Sequence, residues 1–229
     1  MNKSVIIFFI FLLACMSCTK EPLGYKLYYF PFAEFNTPKV YCYENIRDKQ
    51  DKCYYGLKSI SSQGSSYLHI EIYDSEFKQT ESIRLSINNQ GAFANEYVFS
   101  YDSLKVPMKI YADTAMIWEP NDASKFLFEA SHNRPDSRNQ QIVKKVRNYS
   151  GKTGIFIFKN INYKTVELKE DVFINDGNDK LTLFNITQNF ARNLGLVSFE
   201  VQQTGTPTKS YILTEIMNFN EWKNHQSSE

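Results

Sequence analysis

A chain of 229 residues with 26 Lys and Arg against 25 Asp and Glu carries a formal charge of only +1, which gives a nucleic-acid role no electrostatic footing. Its length suits one β-rich domain or two small ones around a substantial core. Aromatic residues make up 15% of it, 15 Tyr and 18 Phe beside only 9 Gly, a mix that fits pleated, half-buried strands. Core and cross-strand packing is the ordinary use of such rings, and the same tyrosines could line a sugar- or lipid-binding face.

Met1-Asn2-Lys3-Ser4 supplies one positive charge, and Val5 to Ala14 follows without a polar residue, the layout of a secretory signal peptide. As a helix this run would reach about 15 Å, half of the ~30 Å hydrocarbon core of a bilayer, too short for a permanent anchor. Loss of the leader takes Lys3 with it and leaves the mature charges balanced. The run ends in Leu12-Leu13-Ala14-Cys15-Met16-Ser17-Cys18. This resembles the lipobox of bacterial lipoproteins, an aliphatic residue three before and a small residue just before a cysteine. The resemblance implies thioether lipidation of that cysteine, cleavage before it and acylation of the new amino terminus; two or more chains anchor firmly where one is marginal.

Cys15 and Cys18 both remain candidates. Leu12-Leu13-Ala14 fits the motif better before Cys15, whereas cleavage at Cys18 leaves Cys42 and Cys53 as an even pair in an oxidising compartment. Cys18-Thr19-Lys20-Glu21 also resembles the lysine-then-acid signature of some surface-exported lipoproteins. The reading is a Gram-negative envelope lipoprotein, with signal peptide and lipobox over 1–17 and a tether over 18–24. The expected address is the outer membrane, held by lipid, facing the periplasm or the exterior.

Along the rest of the chain, Tyr25 to Phe32 is aromatic enough for a first strand or for a plug packed on the domain. Lys39 to Arg47 and Lys52 to Ile60 flank Asp48-Lys49-Gln50-Asp51 and read as a β-hairpin. A turn centred between Arg47 and Asp48 sets Cys42 opposite Cys53 and makes a cross-strand disulfide reasonable; one centred between Lys49 and Gln50 does not. The compartment favours the first. Tyr67 to Tyr73 alternates, with Leu68, Ile70 and Ile72 on one face and Tyr67, His69, Glu71 and Tyr73 on the other. Ser82 to Asn88 does likewise, with Ile83, Leu85 and Ile87 inward. Further strands are expected over 97–101, 106–111, 125–130, 154–159, 163–168, 180–187, 195–201 and 209–216. Ser131 to Gln141 reads as an exposed connection and a candidate point of subdivision of a β domain over 25–217, and Lys144-Lys145-Val146-Arg147 as a solvated edge. Asn175 to Asp179 reads as a turn, lacking the spacing of a calcium loop. Residues 218–229 form a polar tail with no buried helix.

No helical stripe of twelve or more residues occurs. The expected fold is all-β: a curved antiparallel sheet of about twelve short strands, half-barrel or sandwich-like. Ala191 to Glu200 (ARNLGLVSFE) resembles a segment near the C-terminus of uncharacterised bacterial lipoproteins, some similar in layout to half-barrel lipoprotein carriers. That resemblance implies a curved sheet and carries over no ligand residue. Asp102-Ser103-Leu104 and Asp113-Thr114-Ala115 resemble the Asp-Ser/Thr-aliphatic acceptor of a bacterial O-glycosylation system, which makes Ser103 and Thr114 candidate sites.

The catalytic inventory is thin. His69 falls in a strand, His132 in a polar loop and His225 in the tail, with no metal-ligand spacing. Gly64-Ser65-Ser66-Tyr67 lacks the second glycine of a nucleophile elbow, and carboxylate pairs such as Glu170-Asp171 fall on expected turns. The expectation is a non-catalytic protein with no cofactor and no metal, bound to the membrane by lipid and binding an envelope protein or a glycan. A carrier or sensor of acyl chains in a half-barrel is the alternative.

Overall fold

The computed structural model describes residues 24–62, 64–101, 104–120, 125–136, 139–177 and 181–227. Cys15, Cys18 and Ser103 lie outside them. Thirteen strands are present among these residues: β1 (Lys39–Asn45), β2 (Lys52–Ser62), β3 (Ser65–Tyr73), β4 (Gln79–Ile87), β5 (Gly91–Tyr101), β6 (Leu104–Pro107), β7 (Lys109–Ile117), β8 (Phe126–Asn133), β9 (Gln140–Phe158), β10 (Ile161–Asn175), β11 (Leu181–Ala191), β12 (Gly195–Gln203) and β13 (Lys209–Asn218). Every pairing is antiparallel. The curvature expected from the sequence continues to closure, because β13 pairs with β1 and β5 pairs with both β4 and β7. Twelve strands form the ring, and β6 is an extra. The second edge of β5 is shared, Gly91 to Phe93 bonding to β7 and Val98 to Tyr101 to β6. Bulges between Cys42 and Tyr43, Ile72 and Tyr73, Arg84 and Leu85, and Asn189 and Phe190 add local twist and help the sheet coil.

Of the two roles open to Tyr25–Phe32, the plug is the one adopted. Two short 3-10 turns, Tyr25–Leu27 and Phe32–Asn36, bring Tyr28, Tyr29, Phe30 and Phe35 into the barrel, all buried. A strand shows alternate residues to opposite faces, so it could not bury three consecutive rings inside one lumen. Tyr25 stacks on Tyr149 at 3.6 Å, and its amide donates to the Trp118 carbonyl at 3.1 Å. Phe30 lies so close to Gly195 that a Cβ there would meet its ring at 2.5 Å, and Gly195 has φ +90°. In this up-and-down barrel the β9–β10 and β11–β12 connections lie at the plugged end.

Four sequence expectations are corrected. The 218–229 tail is not wholly polar coil: α1 (Phe219–Gln226) starts with a capping box between Asn218 and Glu221 and buries Trp222 on the outer face of the sheet, against Val40, Cys42, Tyr54 and Met217. Two apolar rings in eight residues, of which only Trp222 is buried, leave no stripe to read. The connection expected over 131–141 shrinks to 134–139, with Ser131, His132 and Gln141 buried in β8 and β9. The strands are not uniformly short, since β9 has 19 residues and β10 has 15.

The fourth concerns the cysteines. The hairpin turn centres on Asp48, which pairs Cys42 with Tyr54 and Tyr43 with Cys53. One residue of offset sends the two thiols to opposite faces, Cys42 to the outer cluster and Cys53 to the lumen, and both are free. Burial pushes the Cys42 thiol up to about 11, and burial raises Cys53 as well. With the reductant removed, a thiol reagent should leave Cys42 and Cys53 unmodified in the native protein and titrate both on unfolding; a native mass two hydrogens short would restore the disulfide. Gly195→Ala should lower the unfolding free energy measured in urea by about 1–3 kcal/mol, as a strained backbone site does when a side chain is forced on it.

Candidate functional site

Two concavities deserve comparison, one inside the barrel and one outside it. The inner one, about 230 Å³, has Tyr29 and Phe30 of the plug among its walls, with Ile70, Ile83, Leu168, Ile186 and Phe199 from the strands. Alternation on β9 turns Lys145 and Arg147 into it. Arg147 sits directly across from Glu170 of β10 and donates through Nε to Glu170 Oε2 and through Nη1 to the Ala115 carbonyl at 3.0 Å. Lys145 Nζ lies 4.0 Å from Glu81 Oε2 and over the rings of Tyr97 and Phe128, at 5.5 and 5.9 Å. Tyr97 donates its hydroxyl to Glu81 Oε2 at 2.6 Å.

This corrects two readings. Lys144-Lys145-Val146-Arg147 is not a solvated edge, because two of its three cations point inward, and Glu170 is not on a turn but mid-strand and 3% exposed. Burial works to raise the Glu170 pKa, and the charges of Arg147 and Lys145 override it, holding the carboxyl below the usual range. Burial, reinforced by Glu81, pushes Tyr97 far upward, so its hydroxyl stays protonated. Two acids face two bases, and each finds its partner within the set. The chamber is also smaller than the ~300–1,000 Å³ common for small-molecule sites. It is an internally satisfied strut across the lumen.

Towards the unplugged end, Tyr101 donates to Gln141 Oε1 at 2.8 Å and lies 2.6 Å from Nε2 of His132. With its one hydrogen given to Gln141, the hydroxyl accepts from Nε2–H. Burial and Arg134 lower the His132 pKa, favouring the neutral ring, which stacks on Phe99 at 6.0 Å. His132 therefore belongs to β8 and the barrel interior, not to a loop.

The outer concavity, about 370 Å³, lies between α1 and the outer face of β1–β3. His69, Glu71 and Tyr73 project from β3 on the face that alternation assigns to them, away from Leu68 and Ile70 in the core. Opposite Glu71 stands Gly56, and opposite His69 stands Lys58. The glycine leaves the floor without a side chain. Glu71 Oε2 accepts from Tyr73 at 2.9 Å, and His69 Nε2 lies 3.6 Å from Oε1. The His69 contact pulls the Glu71 pKa below the usual carboxylate range against the pull of burial, with Tyr73 adding to it. From α1, the Trp222 ring lies 4.8 Å from Tyr73 and 5.7 Å from Phe219. Trp222 Nε1 is buried with no hydrogen-bond partner among the described residues. Sequence alternation finds the β3 trio; it misses Trp222, whose only signal is its spacing of three from Phe219 beside the Asn218 and Glu221 cap. Of the candidate modification sites, Thr114 is half-buried in β7.

No protein-family model matches the chain, and no curated protein matches it. Among solved structures, a protein of Parabacteroides distasonis classed by name as a lipoprotein superposes with a TM-score of 0.52 at 12% identity, over 82% of this chain and 97% of that one. A protein of Bacteroides fragilis, named as exported and as having a YmcC-like fold, gives 0.51 at 12% identity, over 83% and 99%. The chain shares their fold. At that identity the likeness concerns the path of the backbone and no side chain.

The strut makes a stability test. Glu170→Gln leaves Arg147 buried without its counter-charge and should cost about 3–5 kcal/mol in urea unfolding at pH 7, whereas Glu170→Leu with Arg147→Met should recover most of it. Because the folded pKa of Glu170 is depressed, its contribution is present above the unfolded value of about 4.3 and lost as pH falls through the folded value. The gap between wild type and Glu170→Gln should therefore narrow in acid; a gap that is constant with pH would refute an ionised Glu170.

Proposed function

We propose that this chain is a lipid-anchored, non-catalytic protein of the bacterial envelope that binds a glycan in the groove between α1 and β1–β3. The address is supported by the Val5–Ala14 leader ending at Cys15 or Cys18, and by structural neighbours named as a lipoprotein and an exported protein. The outer membrane is the proposed site of anchorage.

One observation carries the binding reading: the Trp222, Phe219 and Tyr73 rings stand beside an ionised Glu71 in a groove whose floor is opened by Gly56. A sugar ring presents C–H faces that pack on aromatic rings and hydroxyls that donate to a carboxylate, so this pairing of surfaces suits it. Lys58, which pairs with no carboxylate among the described residues, adds a donor at the rim. The groove is within the ~300–1,000 Å³ range of small-molecule sites. The acyl-carrier alternative has less support. An acyl chain in the lumen would lie against Arg147, Glu170, Lys145 and Glu81, and hydrocarbon solvates such charges poorly.

The test is titration of the full chain with neutral, acidic and amino-sugar oligosaccharides, followed by tryptophan fluorescence and calorimetry. Saturable binding is expected, with Glu71→Gln weakening it about tenfold, as loss of a charge-assisted hydrogen bond does. Trp222→Phe should abolish the fluorescence response while leaving the fold intact. No binding to any of the series, or binding indifferent to both substitutions, would retire the glycan reading.

A further inference from the structure

At the plugged end, β9 and β10 outrun their neighbours. Among the described residues, the last β8–β9 pair is Phe126 with Arg147 and the first β10–β11 pair is Thr165 with Ala191. The ribbon beyond them stays paired to its tip, where Phe158 meets Ile161. It overhangs Thr165 by four residues, about 14 Å at the rise of a strand.

The two faces of this ribbon differ. Phe156, Phe158 and Tyr163 are half-buried and pack back onto the core. Ile155 and Ile157 point the other way and are 71% and 66% exposed, and Ile161 at the tip is 55% exposed. Single exposed apolar residues are ordinary, but Ile155 and Ile157 share the outer face of the ribbon, and Ile161, set opposite Phe158 on the other face, brings a third bare isoleucine to the same tip. Its charge is one-sided. Residues 148–164 contain Lys152, Lys159 and Lys164 and no acid; Lys152, below the overhang, lies 3.7 Å from Glu167, which leaves Lys159 and Lys164 as the cations of the tip. Lys159 occupies the turn itself with φ +49°, a left-handed conformation that glycine would adopt with less strain. A cation is thus kept at the apex beside bare isoleucines.

The N-terminal segment comes to the same end. Gly24 precedes the turn that docks Tyr25 on Trp118 and Tyr149, and Leu27, also exposed, accepts from the Asn193 amide at 2.7 Å. From Gly24 back to Cys18 is six residues and to Cys15 nine, a span of at most about 20–32 Å. A lipid on either cysteine keeps the plugged end within that distance of the bilayer, comparable to the overhang of the ribbon.

We infer that the β9–β10 tip is a membrane-docking element: Ile155, Ile157 and Ile161 enter the headgroup region of an anionic phospholipid bilayer, and Lys159 and Lys164 meet its phosphates. Apolar insertion flanked by cations is the chemistry of interfacial binding. The lipid anchor and this tip then hold the barrel at two points. The inference rests on the lipid-anchor reading for the orientation of the barrel, and the chemistry of the tip stands apart from it.

The experiment uses the full chain purified from membranes and reconstituted in vesicles of phosphatidylethanolamine and phosphatidylglycerol. A fluorophore is attached at Ile157→Cys or, as the opposite-end control, at Ile46→Cys in the β1–β2 turn, which is equally bare at 61% exposed. Cys42 and Cys53 have raised thiol pKa values and should react slowly, and label on any other cysteine is subtracted with the unsubstituted chain. A quencher carried on the lipid chains should quench the label at 157 about fivefold more than the label at 46, as expected for a site inside the interface. Ile155→Asp combined with Lys159→Glu should abolish that difference. Equal quenching at the two positions overturns the proposal, whether the tip is then free or covered by a protein. The mass of the N-terminal peptide is read on the same sample. An unlipidated peptide with strong quenching at 157 removes the anchor and keeps the docking, and a lipidated peptide with no quenching difference does the reverse.

Discussion

Closing twelve antiparallel strands on themselves removes sheet edges and creates a lumen that must then be filled. An eight-stranded ring is about narrow enough for ordinary side chains to meet in the middle; a ring of twelve is wider. This chain fills the difference in two ways. At one end, an aromatic segment ahead of β1 folds in and brings Tyr28, Tyr29, Phe30 and Phe35 to the axis. At mid-height, long side chains reach where leucine would fall short, Lys145 from β9 to Glu81 on β4 and Arg147, held by its cross-strand neighbour Glu170, to the Ala115 carbonyl on β7. The Lys145–Glu81 pair is thus a solution to distance. The desolvation cost of these ions is offset by the opposite charge beside each ion and by the hydrogen bonds of Arg147 to Glu170 and the Ala115 carbonyl and of Tyr97 to Glu81.

Filling the lumen moves recognition to the outside. With the interior charges paired and one end stopped by the plug, the groups open to a partner lie on the outer wall: the Glu71 carboxylate, held by Tyr73 and His69, and Lys58 in the groove under α1, and the bare isoleucines of the β9–β10 ribbon. The helix owes its place to one ring. Its eight residues are too few to be stable alone, so the capping box of Asn218 and Glu221 and the docking of Trp222 on Val40, Cys42 and Met217 are what hold it there. The groove is therefore an assembled site, with one wall supplied by the barrel and the other by the C-terminal helix.

The sequence was most legible where one face of a strand is buried and the other wet. The Leu68-Ile70-Ile72 and Ile83-Leu85-Ile87 patterns read out both strand and facing, and through them the outward His69-Glu71-Tyr73 row of the groove. It was least legible where polar residues turn inward. Nothing in Lys144 to Arg147 distinguishes cations aimed at the lumen from cations in solvent, because the partner, Glu170, is 23 residues away and becomes a neighbour only through the β9–β10 register. The same holds for His132, whose partners Tyr101 and Gln141 come from two other strands. The cysteine pair shows how little separates success from failure: a turn centred on a residue, where the alternatives weighed were centred between residues, shifts the register by one and sends Cys42 and Cys53 to opposite faces. Closure itself has no local signature, since it depends on whether β13 finds β1 across 170 residues of chain.

The two outer features are related by geometry. The plug end faces the tether and the ribbon, and the groove lies on the barrel wall beside β1–β3, with α1 following β13 at that same end. A barrel tethered at a single point alone could present any face of its wall to a ligand. A second contact through the ribbon, which lies across the ring from β1–β3 with β13, β12 and β11 between them on one side, would restrict rotation about the tether and hold the groove at a set height above the lipid. Fixing that orientation before a ligand arrives removes rotational freedom that binding would otherwise have to take away, which is how a modest groove with three rings and one carboxylate gains from being pre-oriented on a surface.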